Sequence, residues 1–288
     1  MATGPLKKSQ SRPAGGSASG NLSPNRIPKL PDSDPPAGLD WDFFQGPVAK
    51  APYNPTKYFN YRQFYAYSGG YITDFGNHRI DSVHQIMNVT APRTIAAAGG
   101  KLLKQNDGDV PELLQVTYEY PGFILDYVSC WVNSHGIGGR SPGMAYHGMS
   151  GPYNRPHGLA FYGTKGAFFV DRIGYEIFPE LDAEMPRVRG GGGAPAGEAK
   201  FRCERKQLQG EDATALHTRN FIQCLRERGQ PFPDAEAGHR STSACLLGNI
   251  AYQAGRKLRW NAEREDFEND REASRLLSRL ARAPWNLI

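Results

Sequence analysis

Asp74, His78 and Asp81 stand four and then three positions apart in Thr-Asp-Phe-Gly-Asn-His-Arg-Ile-Asp. On an α-helix, residues at that spacing project from one side. A carboxylate in the first turn meets the positive end of the helix dipole, which favours its charged form. One turn later it can hold an imidazole in one tautomer and stabilise the imidazolium. Imidazole is the side chain suited to taking and returning a proton near neutral pH. The chemistry on offer is reversible proton transfer to a small molecule. The same spacing also describes a helix cap beside an ordinary surface or core histidine, so the surrounding elements matter.

Those elements are legible on both sides. Ser68-Gly69-Gly70 reads as a turn, because paired glycines reach backbone conformations that other residues adopt only with strain. After it, Ile80, Val83 and Met87 recur at helical steps, and Asp74 or Thr73 is expected to cap the helix. Before it runs an aromatic stretch of Tyr58, Phe59, Tyr61, Phe64, Tyr65 and Tyr67. Ring faces of this kind stack on the C–H face of a sugar, and phenols bond its hydroxyls; the same rings equally build a core. Tyr67 is the candidate substrate contact nearest the turn. Two roles fit Arg62 equally: a clamp on a substrate carboxylate or hydroxyl pair, or an ion pair with a structural acid such as Asp81.

Gly69-Gly70, Thr73-Asp74-Phe75-Gly76-Asn77-His78 and Ile80-Asp81 together resemble the Gly-Gly-x-x-x-Asp-x-Gly-x-His-x-Ile-Asp signature of the Gfo/Idh/MocA oxidoreductases. Gly38-Leu39-Asp40-Trp41-Asp42, Pro52-Tyr53-Asn54-Pro55 and Asn60-Tyr61-Arg62 are similar to the bacterial branch of that family, as are Phe161–Gly166, Gly238–Thr242 and Leu258–Trp260. The resemblance runs from Pro35 to the C-terminus. It implies that His78 is the acid/base on a substrate hydroxyl and that Asp74 orients it or holds the substrate. It implies a sugar or polyol substrate and NAD or NADP as cofactor. It also implies a Rossmann domain, with a catalytic lysine from a Glu-Lys-Pro motif. Neither that tripeptide nor a strand–Gly-x-Gly-x-x-Gly–helix unit occurs in this sequence. The expectation is a substrate-binding and oligomerisation half, truncated and inactive by itself, its Rossmann domain separately encoded or lost. The rival reading is a non-catalytic carbohydrate-binding or oligomerisation module.

Charge and cysteine narrow the rest. The net charge is +5, but Lys7, Lys8, Arg12, Arg26 and Lys29 account for it without a single acid before residue 31. A folded part that sums to zero is poor evidence for nucleic-acid binding, which needs a basic face. The 4 cysteines form no Cys-x-x-Cys pair and no zinc spacing, so reduced thiols and no metal site are expected. No apolar run suits a membrane span or a signal peptide, which points to the cytoplasm, although relatives are often exported.

Residues 1–34 read as a disordered leader and 35–288 as one α+β domain. Strands are expected at 94–98, 114–120, 123–133, 159–163, 167–171 and 175–179, with an edge strand at 201–206 and a Pro121-Gly122 hairpin turn. A Gly-rich loop at 136–155, holding His147 and preceded by His135, reads as a lid; 189–197 is a second Gly-rich segment. Helices are expected from Asp212 or Thr214 to Arg228 and from Glu236 to Gly255, with a stripe of Ala244, Gly248, Ala251 and Gly255. A last helical segment is read from Asp266–Glu272 to Arg282, acid early and base late. The fold class is α+β: a large, mostly antiparallel open sheet, helices on one face, and the other face apolar enough for a homo-oligomer.

Overall fold

The computed structural model describes residues 29–101, 107–130, 158–170, 174–182, 201–210 and 213–285. The leader up to residue 28 and both Gly-rich segments lie outside the described residues. Residues 30–33 are tied to the domain: Leu30 N donates to Thr56 Oγ1, Asn54 Nδ2 to Leu30 O, and Ser33 N to Tyr53 O, at 3.0 Å each.

The fold is α+β. Two short helices come first, α1 (Trp41–Gln45) and α2 (Pro55–Phe59), each capped by the residue before it. Asp40 accepts from Phe43 N and Asn54 from Lys57 N. These caps supply acceptors for helix-start N–H groups that have no partner within the helix. A π-helical turn (Ile72–Gly76) then runs directly into α3 (Asn77–Met87). Strands β1 (Thr94–Gly100), β2 (Leu113–Tyr120) and β3 (Phe123–Cys130) follow. After them come β4 (Leu159–Gly163), β5 (Gly166–Val170), β6 (Gly174–Pro179) and β7 (Lys206–Gln209). Helices α4 (Ala213–Glu227) and α5 (Ala235–Ala254), strands β8 (Leu258–Asn261) and β9 (Asp266–Phe267), and the single turn α6 (Arg271–Ser274) end the chain.

The strands form two antiparallel sheets, β3-β2-β1-β8-β9 and the meander β4-β5-β6-β7. On β2, alternation sends Leu114, Val116, Tyr118 and Tyr120 inward, and all four are buried. The register pairs Tyr118 with Ile95 on one side and Leu125 on the other. Helices α3 and α5 cover this face. Each is anchored by a neighbouring tyrosine of the same strand. Tyr118 Oη donates to Ala244 O of α5 at 3.0 Å, and Tyr120 Oη meets His84 Nε2 of α3 at 2.8 Å. The core joins Ile72, Ile80, Ile95, Leu247, Ile250, Leu258, Trp260 and Phe267 to these strands.

Helix α5 starts on Asp234, which accepts from Ala237 N, and stops at Gly255 in the left-handed conformation (φ 65°). The small-residue stripe faces the domain's own sheet. A Cβ on Gly248 would sit 2.6 Å from Tyr118 Oη, 2.8 Å from Ile72 Cδ1 and 3.2 Å from Val116 Cγ2. Gly255 is no part of that contact: it is the helix stop, and a Cβ there would meet nothing within 4 Å.

Helix α3 ends at Met87, which is exposed, and Asn88 turns away with φ 51°. Two expectations need correcting. The C-terminal segment is not a long helix: Asp266–Phe267 pairs with β8, and only the short turn at 271–277 is helical. The edge strand falls at 206–209, with Phe201 making only an isolated bridge to Leu181. The outward face of the five-stranded sheet is mixed, with Ile124 exposed beside its partner Glu119. Glu119 there bonds Thr94 and Lys257, and Thr117 bonds Asp126. Leu216, Phe221, Ile222 and Leu225 of α4 are exposed. Among the described residues, no helix is long and apolar enough to cross a membrane.

Candidate functional site

The Gly69–Gly70 turn sets the geometry. Gly70 has φ 75°, a conformation glycine reaches without a Cβ penalty. A Cβ on Gly69 would meet Asn249 Nδ2 and Thr73 Cγ2 at 2.6 Å, so only glycine fits. Asn249, buried on α5, donates from Nδ2 to Gly69 O at 2.7 Å. Thr73 closes the turn from the other side, accepting from Gly69 N at 3.1 Å and donating to Gly70 O at 3.0 Å. The N–H groups of Thr73 and Asp74 both reach Gly70 O at 3.2 Å. Neither Thr73 nor Asp74 is therefore a cap: both lie inside a helix that has already begun, and Thr73 ties the turn instead.

The first turn of that helix is a π-turn. Such turns insert extra backbone per revolution and occur at functional sites. Asp74 Oδ1 pairs with Arg62 Nε at 3.0 Å. Arg62 therefore takes an acid partner, but it is Asp74; Asp81 instead accepts from Gln85 at 2.6 Å. The Arg62 guanidinium also lies over the Tyr61 ring, 4.7 Å from its centroid. Partial burial works against the Arg62 charge, but the Asp74 hydrogen bond and the Asp74 charge together outweigh it, so the guanidinium pKa rises. The pair is reachable, with Arg62 40% and Asp74 25% exposed.

His78 is exposed on the first turn of α3, its ring edge-on to Phe75 at 6.1 Å, and Phe75 stacks on Tyr71 at 4.7 Å. The Asp81 carboxyl is raised by burial, with the Gln85 hydrogen bond and the His78 charge pulling it back. The Asp81 carboxylate thus feels the His78 charge, while Asp74 is paired with Arg62. Behind them, burial first and the Asp74 charge second push the Tyr71 phenol up to about 12, with Arg79 opposing. Tyr127 of β3 backs the π-turn: a Cβ on Gly76 would meet its Oη at 3.3 Å. Tyr67 lies on the far side of the glycine turn. It packs on Phe44 at 5.7 Å and Trp41 at 6.2 Å, and burial raises its phenol pKa.

An exposed imidazole beside a carboxylate, next to a fixed carboxylate–guanidinium pair, can exchange a proton with an alcohol and orient it by hydrogen bonds. The residue sequence reasoning missed is Asn249. Asn249 carries no local signal, since its partner is 180 positions away. Every strand pair among the described residues is antiparallel, so none of them forms the parallel strand–helix–strand unit of a Rossmann fold. Among them, too, no group of three or more His, Cys, Asp or Glu could hold a metal.

A family model for the Gfo/Idh/MocA oxidoreductases, C-terminal alpha/beta domain, matches residues 24–123 and 201–287. No curated protein matches the chain. Solved structures similar to it include UDP-N-acetylglucosamine 3-dehydrogenase GnnA from Acidithiobacillus ferrooxidans, at 17% identity and TM-score 0.41, over 62% of this chain and 47% of that one. The WlbA dehydrogenase from Bordetella pertussis, in complex with NADH and UDP-GlcNAcA, is 13% identical at TM-score 0.40, over 70% and 49%. The aldose-aldose oxidoreductase from Caulobacter crescentus, complexed with glycerol, is 11% identical at TM-score 0.42, over 74% and 52%. The chain spans about half the length of these structures. With the family model covering well over half of its residues, the chain belongs to the Gfo/Idh/MocA oxidoreductase family and carries that family's C-terminal α/β domain.

Proposed function

We propose that this chain is the substrate-binding half of an NAD(P)-dependent dehydrogenase acting on a CH–OH group of a sugar or polyol. The dinucleotide-binding unit lies outside the described residues, in the same polypeptide or another. This chain's own residues account for binding and for the proton. His78 takes the proton of the reacting hydroxyl, and the Asp81 carboxylate beside it favours the imidazolium that results. Asp74, fixed by Arg62, accepts a hydrogen bond from a substrate hydroxyl and orients the carbon. The observation that carries this reading is the helix entry from Gly70 to His78. Family membership supplies the reaction class; the exposed imidazole and the Arg62–Asp74 pair supply groups suited to it.

The test is ligand titration of the purified chain by NMR, following the His78 ring signals through a panel of hexoses and polyols. At least one ligand is expected to shift the His78 Cε1–H resonance saturably, and Asp74→Asn is expected to weaken that ligand by about tenfold, the loss of a charge-assisted hydrogen bond. A panel that moves no His78 signal contradicts the proposal.

A further inference from the structure

A cavity of about 850 Å³ opens on the other side of the aromatic run, a size that takes a small organic ligand. Four stretches of chain build it: the segment after α1, residues 61–67, the end of α5 and the C-terminal tail. Four aromatic side chains line it, Phe44, Tyr61, Tyr65 and Tyr67. Arg279 is the one charged side chain among the described lining residues, and no acid accompanies it. That guanidinium has a single 3.3 Å bond to Ala66 O and no ion pair among the described residues. The Tyr65 hydroxyl is shielded from solvent and has no hydrogen-bond partner.

The wall that carries Arg279 is held in place. Arg282, three residues on, straps the tail to the chain around α1. Its Nε donates to Val48 O and its Nη2 to Asp42 O, both at 2.9 Å, and Nη2 pairs with Asp42 Oδ1 at 3.1 Å. Its own N–H donates to Pro47 O at 3.0 Å. A fixed wall spares a ligand the entropy of ordering it.

Ring faces favour a flat apolar ring face, and a guanidinium with no acid partner favours a planar anion that it can grip with two N–H groups. We propose that this cavity binds a six-membered ring bearing a carboxylate, with Arg279 on the carboxylate and the tyrosines against the ring. Tyr61 joins this cavity to the site described above, since the same ring that lines it carries the Arg62 guanidinium. Where the proposed dehydrogenase function holds, the inference extends it: the substrate is a sugar acid rather than a neutral sugar. The binding claim stands without that function.

The experiment is isothermal titration of the purified chain with glucuronate, glucose and benzoate. Glucuronate is expected to bind at least about fivefold more tightly than glucose, and Arg279→Gln is expected to erase the difference. Arg279 is exposed, so this change leaves folding intact. Benzoate matching glucuronate identifies the ligand as any ring carboxylate; benzoate failing restricts it to sugar acids. Equal affinity for glucuronate and glucose, a preference that survives Arg279→Gln, or no binding by either carboxylate overturns the proposal. His78→Ala separates the two readings. It is expected to leave glucuronate affinity within about twofold, so glucuronate binding that depends on Arg279 but moves no His78 signal sinks the catalytic reading alone.

Discussion

Two glycines of one helix are expected to respond to alanine with opposite signs. Gly238 and Gly248 both lie within α5, where alanine is favoured over glycine by about 1 kcal/mol from backbone entropy. A Cβ on Gly238 meets nothing within 4 Å, so Gly238→Ala should gain roughly 0.5–1 kcal/mol. A Cβ on Gly248 would lie 2.6 Å from Tyr118 Oη and 2.8 Å from Ile72 Cδ1. Both atoms must move. Displacing Tyr118 breaks its buried bond to Ala244 O, a loss of about 1 kcal/mol or more, and overpacking adds about 1–3 kcal/mol. The sum outweighs the gain in helix propensity, leaving Gly248→Ala less stable by about 1–3 kcal/mol. Urea denaturation of the two variants and the parent checks this through the midpoint at unchanged m-value. A Gly248→Ala protein as stable as Gly238→Ala would refute the packing of α5 on β2 and the π-turn. Ile72 opens that turn, so the same variant should also disturb the His78 ring signals.

Two further outcomes follow from buried and half-buried charges. Burial pushes the His84 imidazole down to about 4 from 6.5, so between those values the unfolded chain binds a proton the folded chain does not. Stability should fall by about 2 kcal/mol between pH 7.5 and pH 5 through this group, and His84→Gln should flatten the slope in urea titrations at the two pH values. An unchanged slope would sink the assignment. Arg62→Gln should lower stability by no more than about 1 kcal/mol, because the pair with Asp74 is partly solvated, yet weaken sugar binding at His78 by about tenfold. A large stability loss with binding intact would make the pair structural.

Much of this architecture is local and therefore legible in sequence. Asp234 and Gly255 bracket α5, and Pro121-Gly122 turns the β2–β3 hairpin, within a residue or two of where periodicity puts them. What sequence hides is either too short or too distant. Strands β8 and β9 span four and two residues, too few for a period to register. The acid-to-base gradient after Asp266 looks helical but serves ion pairs instead, Arg256 with Asp270 and Glu272, and Arg259 with Glu268. At the site, residue types and helix were readable, but the partners were not. Asp74 pairs with Arg62, and Asp81 bonds Gln85 and feels the His78 charge. The hydrogen bond that ties Gly69 to Asn249 depends on tertiary packing alone.

The central claim is that His78 handles the proton of an alcohol oxidation. Its most direct test is turnover, with this chain joined to a dinucleotide-binding domain of the same family and NAD(P)⁺ reduction followed over sugars, polyols and sugar acids. The account predicts turnover that falls by about 10²-fold or more in His78→Ala, the usual worth of a general base, with substrate affinity largely kept. Turnover equal in His78→Ala and the parent would contradict it.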